Sequence, residues 1–175
     1  MKNKKPFLGI IGGSGLYELD ELIAPKWKTV NSAFGVPSDD ILIGKIGSIN
    51  VAFLPRHGEE HAISPSLVPT KANIYALKSI GVTRIISISA VGSLRENIHP
   101  LDLVIPDQLI DNTKHRSNSF FGDGIVAHVA FAQPFCSELR KILTIASERV
   151  GAKVHKTGTY IVIEGPQFST KAESH

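Results

Sequence analysis

Residues 7–16, Phe7-Leu8-Gly9-Ile10-Ile11-Gly12-Gly13-Ser14-Gly15-Leu16, decide the fold. The apolar run holds two adjacent β-branched residues and reads as a buried strand that stops at Gly-Gly-Ser-Gly. Glycines there let the chain turn sharply and bring main-chain N–H groups close to an anion, and Ser14 adds a hydroxyl donor. A tight strand-ending turn without a ligand accounts for the stretch equally well. Two phosphate-binding fingerprints fail on spacing. G-x-G-x-x-G, counted from Gly13, would put its third glycine at Glu18, and no Gly-Lys-Ser/Thr follows for a Walker loop. An anion-binding turn of another kind is left.

The bulk composition narrows the classes. A chain of 175 residues, 42% hydrophobic and 20% charged, suits one globular domain over 1–175 with a real core. A formal charge of +3 favours a small anionic ligand but falls short of a nucleic-acid footprint, so no nucleic-acid partner is expected. Lys2, Lys4 and Lys5 read as a solvated tail. The single cysteine, Cys136, excludes an internal disulfide and accords with a reducing compartment. No apolar run is long enough to span a bilayer, and glycines interrupt the first one too early for a signal peptide. The expected location is the cytoplasm, with no membrane partner.

Outward from the first stretch, Tyr17–Leu22 reads as a surface turn or short helix, and residues 32–40, with Gly35 and Pro37, as a loop. Ile41–Ile46 and Asn50–Leu54 read as a hairpin joined at Gly47-Ser48. The second strand runs into Pro55-Arg56-His57-Gly58, the most chemically loaded site in the chain. Arg56 offers a planar fork for phosphate or carboxylate, and His57 donates or accepts near neutral pH. A solvated loop is the plainer reading of that pair taken alone. His57 and His61 have a spacing that would ligate zinc from a helix, but Gly58 and Pro65 argue against a helix, and no metal is expected.

Thr70–Ile80 has Ala72, Ala76, Leu77 and Ile80 on one side and Gly81 as its stop, a helix pattern. Arg84–Ser93 reads as a central strand covered on both faces, ending in the small residues Ser89, Ala90 and Gly92. Helix followed by strand implies a parallel crossover, which sets this strand end beside the earlier ones. Two Gly/Ser ends and one Arg-His end then converge on one anion, and this convergence lifts Arg56 above a solvated role.

Leu103–Pro106 begins another strand, with Pro106 marking a bulge or edge. Asp111–Gly124, with Lys114, His115, Arg116, Phe120 and Phe121, is a long polar segment: a binding or contact loop, or disorder. His128 alone reads as a packed histidine. Pro134–Val150 is an amphipathic helix with Leu139, Ile142, Leu143, Ala146 and Val150 as its stripe. Thr157–Ile163 is a strand ending in Glu164-Gly165-Pro166-Gln167-Phe168-Ser169, where Phe168 either stacks on a planar ligand or packs in the core. Thr170-Lys171-Ala172-Glu173 is a capping box, a helix start two residues before the chain ends.

In this order, five pieces together resemble the trimeric purine nucleoside phosphorylases, and within them the 5'-methylthioadenosine phosphorylase branch. They are Gly9–Leu16, Arg56-His57-Gly58, Ala72-Asn73-Ile74, Ala90-Val91-Gly92-Ser93-Leu94-Arg95 and Glu164–Ser169. The resemblance implies an α/β fold, a mixed central sheet flanked by helices, and phosphorolysis of a purine nucleoside. Inorganic phosphate would be co-substrate and no cofactor would be needed. Ser14, Arg56, His57, Ser89 and the Ala90 backbone would form the phosphate site, and Phe168 and Ser169 the nucleoside site. His128 would face a neighbouring subunit's sugar pocket in a homotrimer. Ser169 is similar to the methylthioadenosine branch, since the guanine and hypoxanthine branch carries glutamate there; a sister branch acting on methylthioinosine or 6-oxopurines shares the serine.

The resemblance also implies a departure. The family continues for about another third of its length, with an Asn-Met pair at the sugar and aspartates that read and protonate the purine. The expectation is therefore a fold lacking its last portion, with the phosphate half present, the base-reading half absent, and weak or no turnover by this chain alone.

Overall fold

The computed structural model describes residues 6–13, 19–58, 60–122 and 124–175. Ser14 lies outside the described residues, as do Gly15–Glu18 of the first loop and its neighbouring turn. The chain forms two compact units, residues 1–90 with 117–120 and residues 91–116 with 121–175.

The first unit is a five-stranded mixed sheet. Its strands are β1 (Phe7–Gly12), β2 (Ile23–Lys28), β3 (Ile41–Ile46), β4 (Ile49–Pro55) and β5 (Arg84–Ser87), ordered β2-β3-β4-β1-β5. β3 and β4 form the expected hairpin, with Gly47 in the left-handed region at φ 58°. β1 pairs in parallel with both β4 and β5, so the first apolar run of the chain is an inner strand of the sheet. The crossover from β4 to β5 is α1 (Thr70–Ser79), ended by Gly81 at φ 100°.

Alternation along the strands separates two apolar layers. Ile41, Ala52 and Leu54 face α1 and pack with Ala76 and Leu77, joined by Phe7, Ile11, Ile43 and Ile85. Leu42, Val51 and Phe53 face the other way and pack with Leu8, Ile10, Leu22 and Ile46. Among the described residues, the one buried polar residue is Asn73, on the inner face of α1.

One reading is corrected here, and one strand was not read from the sequence at all. Arg84–Ser93 was expected as a central strand covered on both faces; only Arg84–Ser87 is strand, and it is an edge, with Ile85 and Ile86 half-buried. β4 is the middle strand of the five, and β1, beside it, is the strand with a parallel partner on each side. β2 had no signal in the patterning, because it is exposed along its whole length and carries Pro25 and two lysines, features of an edge strand. A register shift between Ile23 and Lys26, with Ala24 at φ 51°, lets Pro25 sit in the ladder.

In the second unit, β6 (Leu103–Val104) pairs in parallel with β8 (Val154–His155), and β7 (Gln108–Asn112) with β9 (Thr159–Ile163). β7 takes the first residues of the segment read as a long loop. α2 (Ser137–Arg149) begins three residues later than expected, and its stripe is not buried. Leu139 and Leu143 are half-covered while Ile142, Ala146 and Val150 are exposed, and the main element α2 packs against is the short β8. The capping box forms as expected: Thr170 Oγ1 accepts from the Glu173 amide at 3.2 Å, and the Glu173 carboxylate accepts from the Thr170 amide at 2.7 Å, opening α3 (Lys171–Ser174).

Candidate anion site at three strand ends

Parallel strands point the same way, so β4, β1 and β5 end side by side at one edge of the sheet. The register puts Pro55 opposite Gly12, and Ser87 opposite Ile11. Past the last strand residues, the Arg56 amide donates to the Gly12 carbonyl at 2.9 Å and the Ile88 amide to the Ile11 carbonyl at 2.9 Å. The three turns therefore start from fixed points. The Arg56 guanidinium crosses the end of β1, and its Nη1 donates to the Ile88 carbonyl at 3.4 Å.

His57 holds the other side of that guanidinium. Its Nδ1 lies 2.7 Å from the Ile63 carbonyl, which can only accept, so Nδ1 carries the proton. Its Nε2 then has a free lone pair and accepts from Arg56 Nε at 3.1 Å. The neutral Nδ1–H tautomer is the form that satisfies both partners. The turn beyond is closed by backbone bonds, from Gly58 to Pro55 and from Ile63 to His57. Gly58 sits at φ 76°, a left-handed conformation that favours glycine.

Asn73 supports this turn from below. Its side-chain oxygen accepts from the Ser38 amide at 2.8 Å, and the Ser38 hydroxyl donates to the Pro55 carbonyl at 2.6 Å. A buried amide oxygen thus fixes loop 36–40 against the residue that precedes Arg56. This role was not read from the sequence, although one amide on the otherwise apolar inner face of α1 was the available signal.

Ser89 and Ala90 follow the β5 end directly, and both are exposed. The remaining sequence-derived candidates lie in the second unit. The Glu164 carboxylate accepts from the amides of Lys114 at 2.6 Å and His115 at 3.1 Å, and pairs with Arg116 Nε at 3.3 Å. Arg116 Nη2 also donates to the carbonyls of Ile163 and Glu164. The polar segment after β7 is therefore tied to the end of β9 by a carboxylate that neutralises its one guanidinium. From that end the chain passes a cis Gly165–Pro166 bond to Phe168, which is 94% exposed, and to Ser169, whose hydroxyl lies 2.8 Å from that of Ser174. His128 is not packed, as its residue type alone would indicate. It is exposed among Ile125, Val126, Val129 and Phe131, which are exposed as well.

Among the described residues, no group of three His, Cys, Asp or Glu side chains is placed to hold a metal ion, and no helix is long and apolar enough to cross a membrane.

Comparison with known proteins places this geometry. A family profile described as the phosphorylase superfamily matches residues 7–175. The chain is 52% identical over 169 residues to the S-methyl-5'-thioadenosine phosphorylase of Geobacter sulfurreducens, covering 96% of this chain and 59% of that protein. It is 55% identical over 168 residues to the protein of that name from Chloroflexus aurantiacus, covering 95% and 58%. A crystal structure of methylthioadenosine phosphorylase from an antarctic soil metagenomic library superposes with a TM-score of 0.94 at 52% identity, over 98% of this chain and 61% of that one. The chain spans about three fifths of the length of these relatives.

Proposed function

The chain belongs to the phosphorylase superfamily, and from that premise we propose that it is the phosphate-binding part of a 5'-methylthioadenosine phosphorylase. The reaction would be attack of inorganic phosphate on the ribosyl C1' as the purine leaves, giving the free base and methylthioribose 1-phosphate. The positive charge that develops on the sugar calls for an anion held firmly on the face opposite the leaving base.

The observation that carries the reading is the Arg56 guanidinium, fixed by His57 on one side and by the Ile88 carbonyl on the other, across the end of β1. A fork held at two points is pre-organised for a tetrahedral oxyanion. Ser14, Arg56, Ser89 and the Ala90 amide would share the phosphate oxygens, and His57, whose ring nitrogens are taken by the Ile63 carbonyl and Arg56 Nε, would serve the site by holding the guanidinium. Phe168 would stack on the purine and Ser169 would line its pocket, and the exposure of Phe168 leaves its ring face available. The exposed apolar segment around His128 supports a neighbouring-subunit contact in a homotrimer. The two units would act as one nucleoside phosphorylase domain, which the extent of the family match supports. A place in purine salvage, in the cytoplasm and without a cofactor, completes the reading.

Calorimetric titration of the 175-residue chain with phosphate and with methylthioadenosine tests it, alongside a phosphorolysis assay. Saturable phosphate binding is expected, with turnover well below that of the longer relatives. Absence of phosphate binding would overturn the assignment. Turnover equal to that of the longer relatives would overturn the division into phosphate and base-reading parts.

A further inference from the structure

His61 has no role in the site described so far, yet three observations direct it there. Its ring stacks on that of His57, with centroids 5.1 Å apart and planes 29° from parallel. Its Cε1 faces the glycine turn after β1: a Cβ built on Gly13 would lie 3.6 Å from it. Its backbone is in the left-handed region at φ 57°, closed by a hydrogen bond from its amide to the Gly58 carbonyl at 3.1 Å. Histidine is one of the few non-glycine residues enriched in that conformation, and here it turns the side chain back toward the strand ends.

We infer that His61 is a positioning residue of the anion site, acting through His57 on Arg56. The order of support is continuous. The His61 ring covers one face of the His57 ring and limits its rotation. The Ile63 carbonyl then keeps the proton on His57 Nδ1, and His57 Nε2 is left to accept from Arg56 Nε. Arg56 in turn extends Nη1 to the end of β5. A His57 ring free to turn about its χ angles would lose both in-plane hydrogen bonds together, since both nitrogens are needed in fixed directions. Stacking is what restrains such a rotation, because it acts on the ring face while the hydrogen bonds act at the edge. The part of this inference that concerns phosphate rests on the reading in the preceding subsection. The part that concerns the His57 tautomer does not.

The test uses two variants of the full chain. His61→Asn removes the ring but tolerates a left-handed backbone, and His61→Phe keeps a planar ring while removing both nitrogens. Imidazole nitrogen shifts of His57, measured by NMR without phosphate, report its tautomer. Wild type is expected to show a single Nδ1–H form, His61→Asn a mixture, and His61→Phe the single form again. Calorimetry with inorganic phosphate should show affinity lowered about three- to tenfold by His61→Asn and largely restored by His61→Phe. An unchanged His57 tautomer in His61→Asn overturns the inference. Phosphate binding as weak in a folded His61→Phe as in His61→Asn also overturns it, since His61 would then act through its nitrogens. If wild type binds no phosphate, the functional reading fails, and the tautomer comparison still decides the role of His61. If His61→Phe does not fold, the tautomer in His61→Asn decides alone.

Discussion

The Arg56 guanidinium reaches over the end of β1 to the Ile88 carbonyl, 3.4 Å away, joining two strands that are separated in the sheet by a third. The two residues are 32 positions apart in the chain, and the crossover helix α1 occupies ten of the positions between them. The contact exists because β4 and β5 both run parallel to β1 and end level with it.

Arg56→Lys should therefore fail as a conservative change. A lysine ammonium is a compact point charge and has no second nitrogen to keep the His57 contact while reaching Ile88. Calorimetry should show phosphate affinity reduced roughly tenfold or more, the scale of a lost charge-assisted hydrogen bond. Unchanged affinity would mean that charge alone, and not the fork, holds the anion.

Glu164 gathers two backbone amides and one guanidinium from the segment after β7. Glu164→Ala should release that segment without unfolding the unit. Hydrogen exchange at the Lys114 and His115 amides should accelerate by about an order of magnitude, while the β7–β9 ladder keeps most of its protection. Equal loss of protection in the ladder would show that the carboxylate holds the strands and not the loop.

Burial divides the apolar residues sharply. Leu54 is 1% exposed in the layer beneath α1, and Leu54→Ala should cost about 2–5 kcal/mol by urea denaturation. Val150, at the end of α2, is 81% exposed, and Val150→Ala should stay within about 0.5 kcal/mol. Similar costs at the two positions would contradict the burial difference.

Asp102 should make the second unit sensitive to acid. Its carboxylate accepts from His155 Nε2 at 2.7 Å, Lys153 Nζ at 2.9 Å and the His99 amide at 3.0 Å. Those contacts hold it well below the ordinary value of 3.8, the His155 and Lys153 side chains contributing most. Because the folded value is the lower one, the stabilisation is complete above the ordinary carboxylate range, begins to fall near about pH 4 and is lost progressively as the pH drops toward the lower folded value. Urea midpoints of wild type should therefore decline more steeply than those of Asp102→Asn between about pH 5 and about pH 3. Parallel declines would assign the acid sensitivity elsewhere.

Much of the fold was legible where burial is one-sided or complete. The alternation in Ile41–Leu54, the helical spacing of Ala72, Ala76 and Leu77, and the capping box at Thr170 each correspond to the structure. β2 and β7 were not legible, because strands with little buried surface leave little pattern in the residue types. The stripe on α2 was legible as a pattern but did not report its own exposure. Patterning records which face is apolar, not what covers it.

Residue types and their spacing determined by themselves the β3–β4 hairpin, the crossover helix, and which loops carry an arginine, small residues and a stackable aromatic. The mixed α/β phosphorylase fold was implied by the resemblance that five motifs carry together. Only the tertiary structure decided that β1 lies between two parallel partners, that Arg56 and Ile88 meet, and that His61 lies against His57. The physical reason is that periodicity is a local property of the chain. The meeting of three strand ends depends instead on register and crossover direction, which are settled only when the sheet has formed.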